Sequence, residues 1–257
     1  MDKLFVVKIG GNVIENSAKL ESFLQDFTAL KGFKILIHGG GKKATEMADK
    51  LNIPVQMIEG RRITNEDNLD VITMMYGGKI NKNIVAKLQA LNCNAIGLSG
   101  ADGNSISAVK RSVKDIDYGF VGDITEINLN LFLLLLENAL TPVCCAISHD
   151  KNGQLLNTNA DTIASAIAKS LSNYFEVSLW YCFEKNGVLG SISDEQSVIE
   201  LINPKTYDNL KSKGIVNLGM IPKIDNCFDA LQNGVKMVKI GSPKMINVNE
   251  AHTTLIL

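Results

Sequence analysis

The chain opens with an apolar run that ends in a double-glycine turn, Leu4-Phe5-Val6-Val7-Lys8-Ile9-Gly10-Gly11. The arrangement returns one helical stretch later as Lys34-Ile35-Leu36-Ile37-His38-Gly39-Gly40-Gly41. Runs with so few polar positions predict strands buried on both faces, the kind found in parallel sheets covered by helices. Strand-like runs continue at 95–98, 141–147, 177–183 and 237–240, besides the first two at 4–9 and 34–38. Helical patterns lie between them. Residues 15–30 place Leu20, Phe23, Leu24, Phe27 and Leu30 on one helix face, and 42–51 follows the second glycine turn directly. The stretch 65–91 reads as two helices broken near Gly77-Gly78, and 161–171 is alanine-rich with Asp161 in its first turn. Strands alternating with helices give an α/β fold, with a mostly parallel central sheet between two helical layers.

Two stretches interrupt the alternation. Residues 106–130 read as a hairpin-like excursion. Residues 184–215 hold a turn at Lys185-Asn186-Gly187, then polar sequence and a short helix around 204–213. No low-complexity linker divides the 257 residues, so a single unit with two lobes suffices.

The net charge of −1 gives no nucleic-acid-binding surface. The longest apolar run, Leu131 to Leu136, is too short to span a membrane, and the N-terminus lacks the layout of a signal peptide. Five cysteines form no CxxC pair, and Cys144-Cys145 lie in an apolar run where cysteine acts as a small hydrophobe. Neither a disulfide framework nor a zinc site is expected, and the expected location is the cytoplasm.

The glycine turns leave bare backbone N–H groups beside a fixed positive charge, a setting suited to phosphoryl groups. Most lysines in strands sit at an edge or extend to solvent. Lys8 interrupts an otherwise apolar strand, and a lysine buried there requires an anionic partner. The turn at Gly39-Gly40-Gly41 is not a P-loop, because the chain contains no GxxxxGK[ST]. Arg61 and Arg62 read either as a solvated pair, the commoner case for adjacent arginines, or as one arginine gripping a carboxylate, and the sequence pattern does not choose. In Asn157-Thr158-Asn159-Ala160-Asp161, helix capping accounts for Asn159 or Asp161 and leaves Asn157 unexplained. Lys223 lies in Gly219-Met220-Ile221-Pro222-Lys223, just before a predicted helix at 225–232. It reads either as a surface lysine or as part of a shaped loop. His38 and His149 each end an apolar strand and read as core or turn histidines.

In this order, the motifs resemble the amino acid kinase family over nearly the whole chain. Lys8-Ile9-Gly10-Gly11 is similar to its opening K-[LIV]-G-G, and His38-Gly39-Gly40-Gly41 to its HGGG turn. Gly60-Arg61-Arg62-Ile63-Thr64 resembles G-x-R-[VI]-T, which selects Arg62. Asp117-Tyr118-Gly119-Phe120-Val121-Gly122 resembles a hairpin segment D-[LY]-G-x-V-G. Residues 157–161 match N-x-N-A-D, and 219–223 match G-M-[IV]-x-K. The combination is that of members acting on N-acylated glutamate. The resemblance implies a three-layer αβα sandwich of the carbamate kinase-like type. It also implies a substrate lobe over about 1–165 and an ATP lobe over about 166–257.

The implied reaction is ATP-dependent phosphorylation of the side-chain carboxylate of an N-acylglutamate, N-acetyl-L-glutamate foremost, in arginine biosynthesis. Lys8, Lys223 and Asp161 are then catalytic, with Asp161 holding both lysines. Gly40, Gly41, Arg62 and Asn157 bind the acceptor. Gly10, Gly11, Glu184, Gly187, Gly219 and Met220 contact ATP, with Mg²⁺ carried mainly on the nucleotide phosphates and no metal site of the protein's own. The chain departs from the family's Thr/Ser-Asp-Val-x-Gly turn, having Phe183-Glu184-Lys185-Asn186-Gly187, and is short after Gly234.

Other acceptors with the same chemistry, N-succinylglutamate among them, fit the same motifs. Carbamate offers nothing for Arg62 and Asn157 to hold, and aspartate kinases usually carry an added regulatory domain. A non-catalytic amino-acid sensor has no use for both lysines. Arginine-inhibited members carry an extra helix ahead of the first strand, where this sequence has Met1, Asp2 and Lys3. The expectation is a homodimer insensitive to arginine.

Overall fold

The computed structural model describes residues 1–58, 60–191, 193–216, 220–246 and 250–257. Strand β1 (Lys3–Ile9) leads into helices α1 (Gly11–Glu15) and α2 (Ser17–Ala29), and β2 (Phe33–His38) leads into α3 (Gly41–Lys50). A small hairpin of β3 (Met57–Ile58) and β4 (Arg61–Arg62) precedes α4 (Glu66–Ile72), a π-helical segment (Thr73–Ile80) and α5 (Asn81–Ala90). Next come β5 (Ala95–Leu98), the hairpin β6 (Ile106–Lys110) and β7 (Gly122–Ile127), α6 (Leu129–Glu137), β8 (Thr141–Cys145), β9 (Ile147–His149) and β10 (Leu155–Asn157). The remainder runs through α7 (Ala160–Leu171), β11 (Glu176–Cys182), β12 (Leu189–Ser191), β13 (Asp194–Val198), β14 (Leu201–Ile202), α8 (Pro204–Ser212), α9 (Ile221–Gln232), β15 (Met237–Gly241) and β16 (Thr253–Leu255).

The main sheet has eight strands in the order β14-β16-β15-β11-β1-β2-β8-β5. The six from β15 to β5 are mutually parallel, β16 runs antiparallel to β15, and β14 pairs parallel with β16 at that edge. The sheet takes strands from both ends of the sequence, and β1 lies at its centre between β11 and β2. Leu4, Val6, Val7 and Ile9 of β1 are completely buried, as the apolar run required. Each such side chain contributes roughly 1.5–3 kcal/mol relative to exposure. Helix α2 buries Leu20, Phe23, Leu24 and Phe27, the stripe read from its spacing. The five cysteines are free and buried.

Three expectations are corrected. The apolar run 141–147 is two strands. β8 stays in the main sheet to Cys145, and after a bend at Ala146 the chain joins a second sheet in which Ile147 pairs with Asn157. The stretch 65–91 does not break at Gly77-Gly78, because the backbone widens into the π-helical turns and continues into α5. Widened turns absorb a glycine pair without releasing the helix, and they press Tyr76 and Ile80 against the second glycine turn. The helix read at 225–232 begins earlier, at Ile221, with Pro222 in its first turn where its missing N–H costs nothing.

His38 ends β2 fully buried. Its Nδ1–H donates to the Gly39 carbonyl (2.8 Å), and its Nε2 accepts from Asn81 Nδ2 (3.1 Å), which also donates to the Val143 carbonyl (2.9 Å). The network fixes one neutral tautomer and ties the glycine turn to β8 and α5. Burial pushes the imidazole down to about 4. The unfolded chain takes up a proton on this ring near 6.5, whereas the folded chain does so only near 4. Stability is therefore complete above pH 6.5 and declines as pH falls toward 4, by about 3 kcal/mol from this group. Urea denaturation across that window is expected to show the decline in the wild type and a shallower one in His38→Gln.

Candidate active site

The two glycine turns stand at the same end of the parallel sheet, after β1 and β2. Gly40 has φ 157° and ψ 21°, and a Cβ there would lie 2.4 Å from Ile80 Cδ1 and 3.1 Å from the Tyr76 ring. Only glycine fits between the turn and the π-helical segment, so the main chain at Gly40-Gly41 faces the neighbouring cavity without side-chain cover.

Lys8 lies on a central strand and is 9 % exposed, which removes the edge reading. Its Nζ meets Asp161 Oδ1 at 2.7 Å. Asp161 reaches it from the first turn of α7, where a carboxylate also suits the helix dipole. The capping role belongs to Asn159, whose side-chain oxygen accepts from the backbone N–H groups of Asp161 (2.8 Å) and Thr162 (3.1 Å). The Asp161 carboxylate is thus free for Lys8. Tyr181 Oη, kept protonated by burial, donates to the Asp161 carbonyl at 3.2 Å.

Arg62 is buried and Arg61 exposed, as the resemblance selected. The Arg62 guanidinium donates to Gly41 O (3.0 Å), Thr45 Oγ1 (2.6 Å) and Asn68 Oδ1 (3.3 Å). These contacts fix its plane and leave part of its donor set for a ligand. Asn157 Nδ2 donates to Thr64 Oγ1 at 3.0 Å. Gly40, Gly41, Arg62, Asn157, Asp161 and Lys223 all line one cavity of about 890 Å³.

A second cavity of about 480 Å³ adjoins the first. Its lining includes Gly10, Gly11, Glu184, Gly187 and Met220, with apolar walls from Val13, Val188, Ile215 and Val216. Gly219 lies outside the described residues. Phe183, Lys223 and Ile240 border both cavities. Lys223 sits in the first turn of α9, where the helix dipole opposes a cation, so helix stability does not explain it. Among the described residues Asp161 pairs with Lys8, and Lys223 makes no ion pair. The Lys223 ammonium instead stands 4.5 Å from the Phe183 ring centroid, and Lys8 Nζ stands 5.1 Å from the same ring.

Sequence reasoning missed Tyr76, Thr45 and Arg111. Arg111 borders the larger cavity and grips Asp123 with Nε and Nη2 (3.0 and 2.6 Å to Oδ1). Its position in a charged hairpin carries no local signal, whereas the crowding of Tyr76 follows from the glycine it excludes.

Residues 3–242 match the model of the amino acid kinase family. The chain is 54 % identical to the acetylglutamate kinase of Cytophaga hutchinsonii over 93 % of this chain and 91 % of that one. Among solved structures it is similar to smu.665 from Streptococcus mutans UA159, with a TM-score of 0.79, 26 % identity, and coverage of 99 % of this chain and 98 % of the other. It shares its fold with the carbamate kinase from Giardia lamblia bound to AMP-PNP, with a TM-score of 0.71, 14 % identity, and coverage of 99 % and 98 %.

The division of labour on α7 is directly testable. Asn159→Ala is expected to cost about 1 kcal/mol in chemical denaturation through loss of the cap. Asp161→Asn keeps the cap and removes the partner of Lys8, so its larger effect falls on turnover. Normal turnover in Asp161→Asn would return that residue to a structural role.

Proposed function

Because the chain belongs to the amino acid kinase family, we propose that it transfers the γ-phosphoryl group of ATP to the side-chain carboxylate of an N-acylated glutamate. N-acetyl-L-glutamate is the preferred acceptor, the product is the acyl phosphate, and the step serves arginine biosynthesis. One observation carries this reading: two adjoining cavities meet at Phe183 and Lys223, with the Lys8–Asp161 pair beside them. The smaller cavity, lined by glycines and by apolar side chains, suits a nucleotide. The larger, with an arginine and an asparagine, suits an amino-acid end.

The nucleophile is a carboxylate, already ionised at neutral pH, so no general base is needed. The task is to bring one anion up to another, by positioning and charge neutralisation. Arg62 holds the α-carboxylate of the acceptor, and Asn157 orients its amino-acid end. Gly40 and Gly41 offer N–H groups to the acceptor carboxylate and the moving phosphoryl. Lys8 approaches from the acceptor side with Asp161 fixing its ammonium, and Lys223 approaches from the nucleotide side. Gly10, Gly11, Glu184, Gly187 and Met220 surround the nucleotide.

Among the described residues no group of three or more His, Cys, Asp or Glu is placed to hold a metal ion. On this reading Mg²⁺ would arrive on the nucleotide phosphates. When bound, Mg²⁺ would supply positive charge to offset that of the nucleotide phosphates, beside the ammonium groups of Lys8 and Lys223. The reading divides the chain into a substrate lobe over about 1–165 and an ATP lobe over about 166–257, joined by one sheet. It also includes a cytoplasmic homodimer, two-fold pairing being the commonest closed assembly.

A coupled ADP-release assay with acetyl-, succinyl- and free glutamate tests the reaction, with release expected from the acetylated acceptor and none from free glutamate. Lys8→Arg and Lys223→Ala are each expected to lower turnover by about two to three orders of magnitude, on the scale of losing one electrostatic donor. Arginine does not replace a compact ammonium beside a phosphoryl group. Arg62→Ala is expected to raise KM for the acceptor and leave KM for ATP near its wild-type value, while Arg61→Ala is silent. Release of ADP at the wild-type rate by either lysine variant would remove that lysine from the mechanism.

A further inference from the structure

Phe183 is the first residue beyond β11, and its backbone N–H donates to the Gly241 carbonyl at 2.7 Å. Its half-buried ring stacks on Tyr181, with centroids 6.1 Å apart and planes 19° apart. Tyr181 in turn holds the Asp161 carbonyl. The backbone of Phe183 is thus tied to the strand beside it, and its ring rests on a buried aromatic. It borders both cavities, with Lys8 Nζ 5.1 Å and Lys223 Nζ 4.5 Å from its centroid. Two ammonium groups each this close to one ring lie within about 10 Å of each other and repel. Asp161 offsets the charge of Lys8. For Lys223, exposed and opposed by the dipole of α9, the ring is the attraction that the described residues provide.

We propose that Phe183 is a positioning residue that holds the Lys8 and Lys223 ammonium groups on either side of the phosphoryl path. This rests on the kinase reading of the same site. A ring face draws a cation by its quadrupole without neutralising it, and it accepts no strong hydrogen bond. The ring thus leaves the N–H donors of Lys223 unspent, and Lys8, which gives one contact to Asp161, keeps others for an incoming phosphoryl group. A carboxylate in that place would consume those donors and repel the substrate, and a small hydroxyl side chain would leave Lys223 unanchored. The aromatic residue where the family turn has threonine or serine is, on this account, the means by which this chain sets its two lysines.

The test compares Phe183→Leu, which keeps apolar bulk, with Phe183→Tyr, which keeps the ring face. ADP release gives kcat and KM, thermal melting reports folding, and the ε-methylene proton resonances of Lys8 and Lys223 report whether each lies over a ring. In the wild type those resonances are expected upfield from ring-current shielding. Phe183→Leu is expected to return them toward unshielded values and to lower kcat about tenfold, with acceptor KM within about twofold. Phe183→Tyr is expected to restore the shielding and most of the rate. Shielding that persists in Phe183→Leu, or wild-type kcat in that variant, would overturn the proposal. Absence of ADP release from the wild type with every N-acylglutamate would remove the proposed reaction instead. The lysine resonances then still decide: shielding lost in Phe183→Leu supports the positioning role, and shielding retained refutes it.

Discussion

A lysine in the central strand of a buried parallel sheet has to be compensated, and the contact between Lys8 Nζ and Asp161 Oδ1 at 2.7 Å does so. Leaving such a charge unpaired costs several kcal/mol, whereas pairing it with good geometry brings it near balance. The pairing sets requirements on the rest of the chain. Helix α7 must start opposite the end of β1, its cap must come from Asn159 so that the carboxylate is free, and Tyr181 must hold the Asp161 carbonyl. The central strand is thus joined to a helix that starts about 150 residues later in the sequence, before any ligand is considered.

The glycine turns solve a related problem. Parallel strands bring their C-terminal ends to one edge of the sheet, and ligands in such sheets bind beyond those ends. At Gly40 the π-helical segment closes in with Tyr76 and Ile80, which leaves no room for a Cβ and bares the main chain. His38, neutral and buried, anchors the turn from below through Gly39 and Asn81. The result is a rigid rim carrying N–H groups, with Arg62 braced across it by Gly41 and Thr45. Rigidity there matters because phosphoryl transfer depends on placement more than on proton movement.

Much of this was legible in the sequence, for identifiable reasons. Strands buried on both faces leave continuous apolar runs, so β1, β2, β5, β11 and β15 were found close to their true limits. The break at Ala146 was not legible, because a residue that leaves one sheet for another is as apolar as its neighbours. Gly77-Gly78 reads as a helix stop by propensity, and tertiary packing overrode it through wider turns. Pro222 was read as a loop residue although proline is favoured in a first helical turn, so Lys223 was placed ahead of its helix. The motif resemblance chose Arg62 over Arg61 where the local pattern did not, and burial agrees, whereas the choice of cap between Asn159 and Asp161 needed hydrogen bonds. Phe183 was visible only as a departure from a motif. Its contacts with two lysines distant in sequence exist only in the folded chain.

The central claim is that the junction of the two cavities passes a phosphoryl group to a carboxylate rather than to water. An acyl phosphate reacts with hydroxylamine to give a hydroxamate, whereas inorganic phosphate does not. Incubation of the protein with MgATP, N-acetyl-L-glutamate and hydroxylamine, followed by quantitation of hydroxamate and ADP, reads the claim directly. The account predicts hydroxamate and ADP in equal amounts, both dependent on the acylated acceptor. ADP accumulating with inorganic phosphate and without hydroxamate, or no ADP at all, would contradict it.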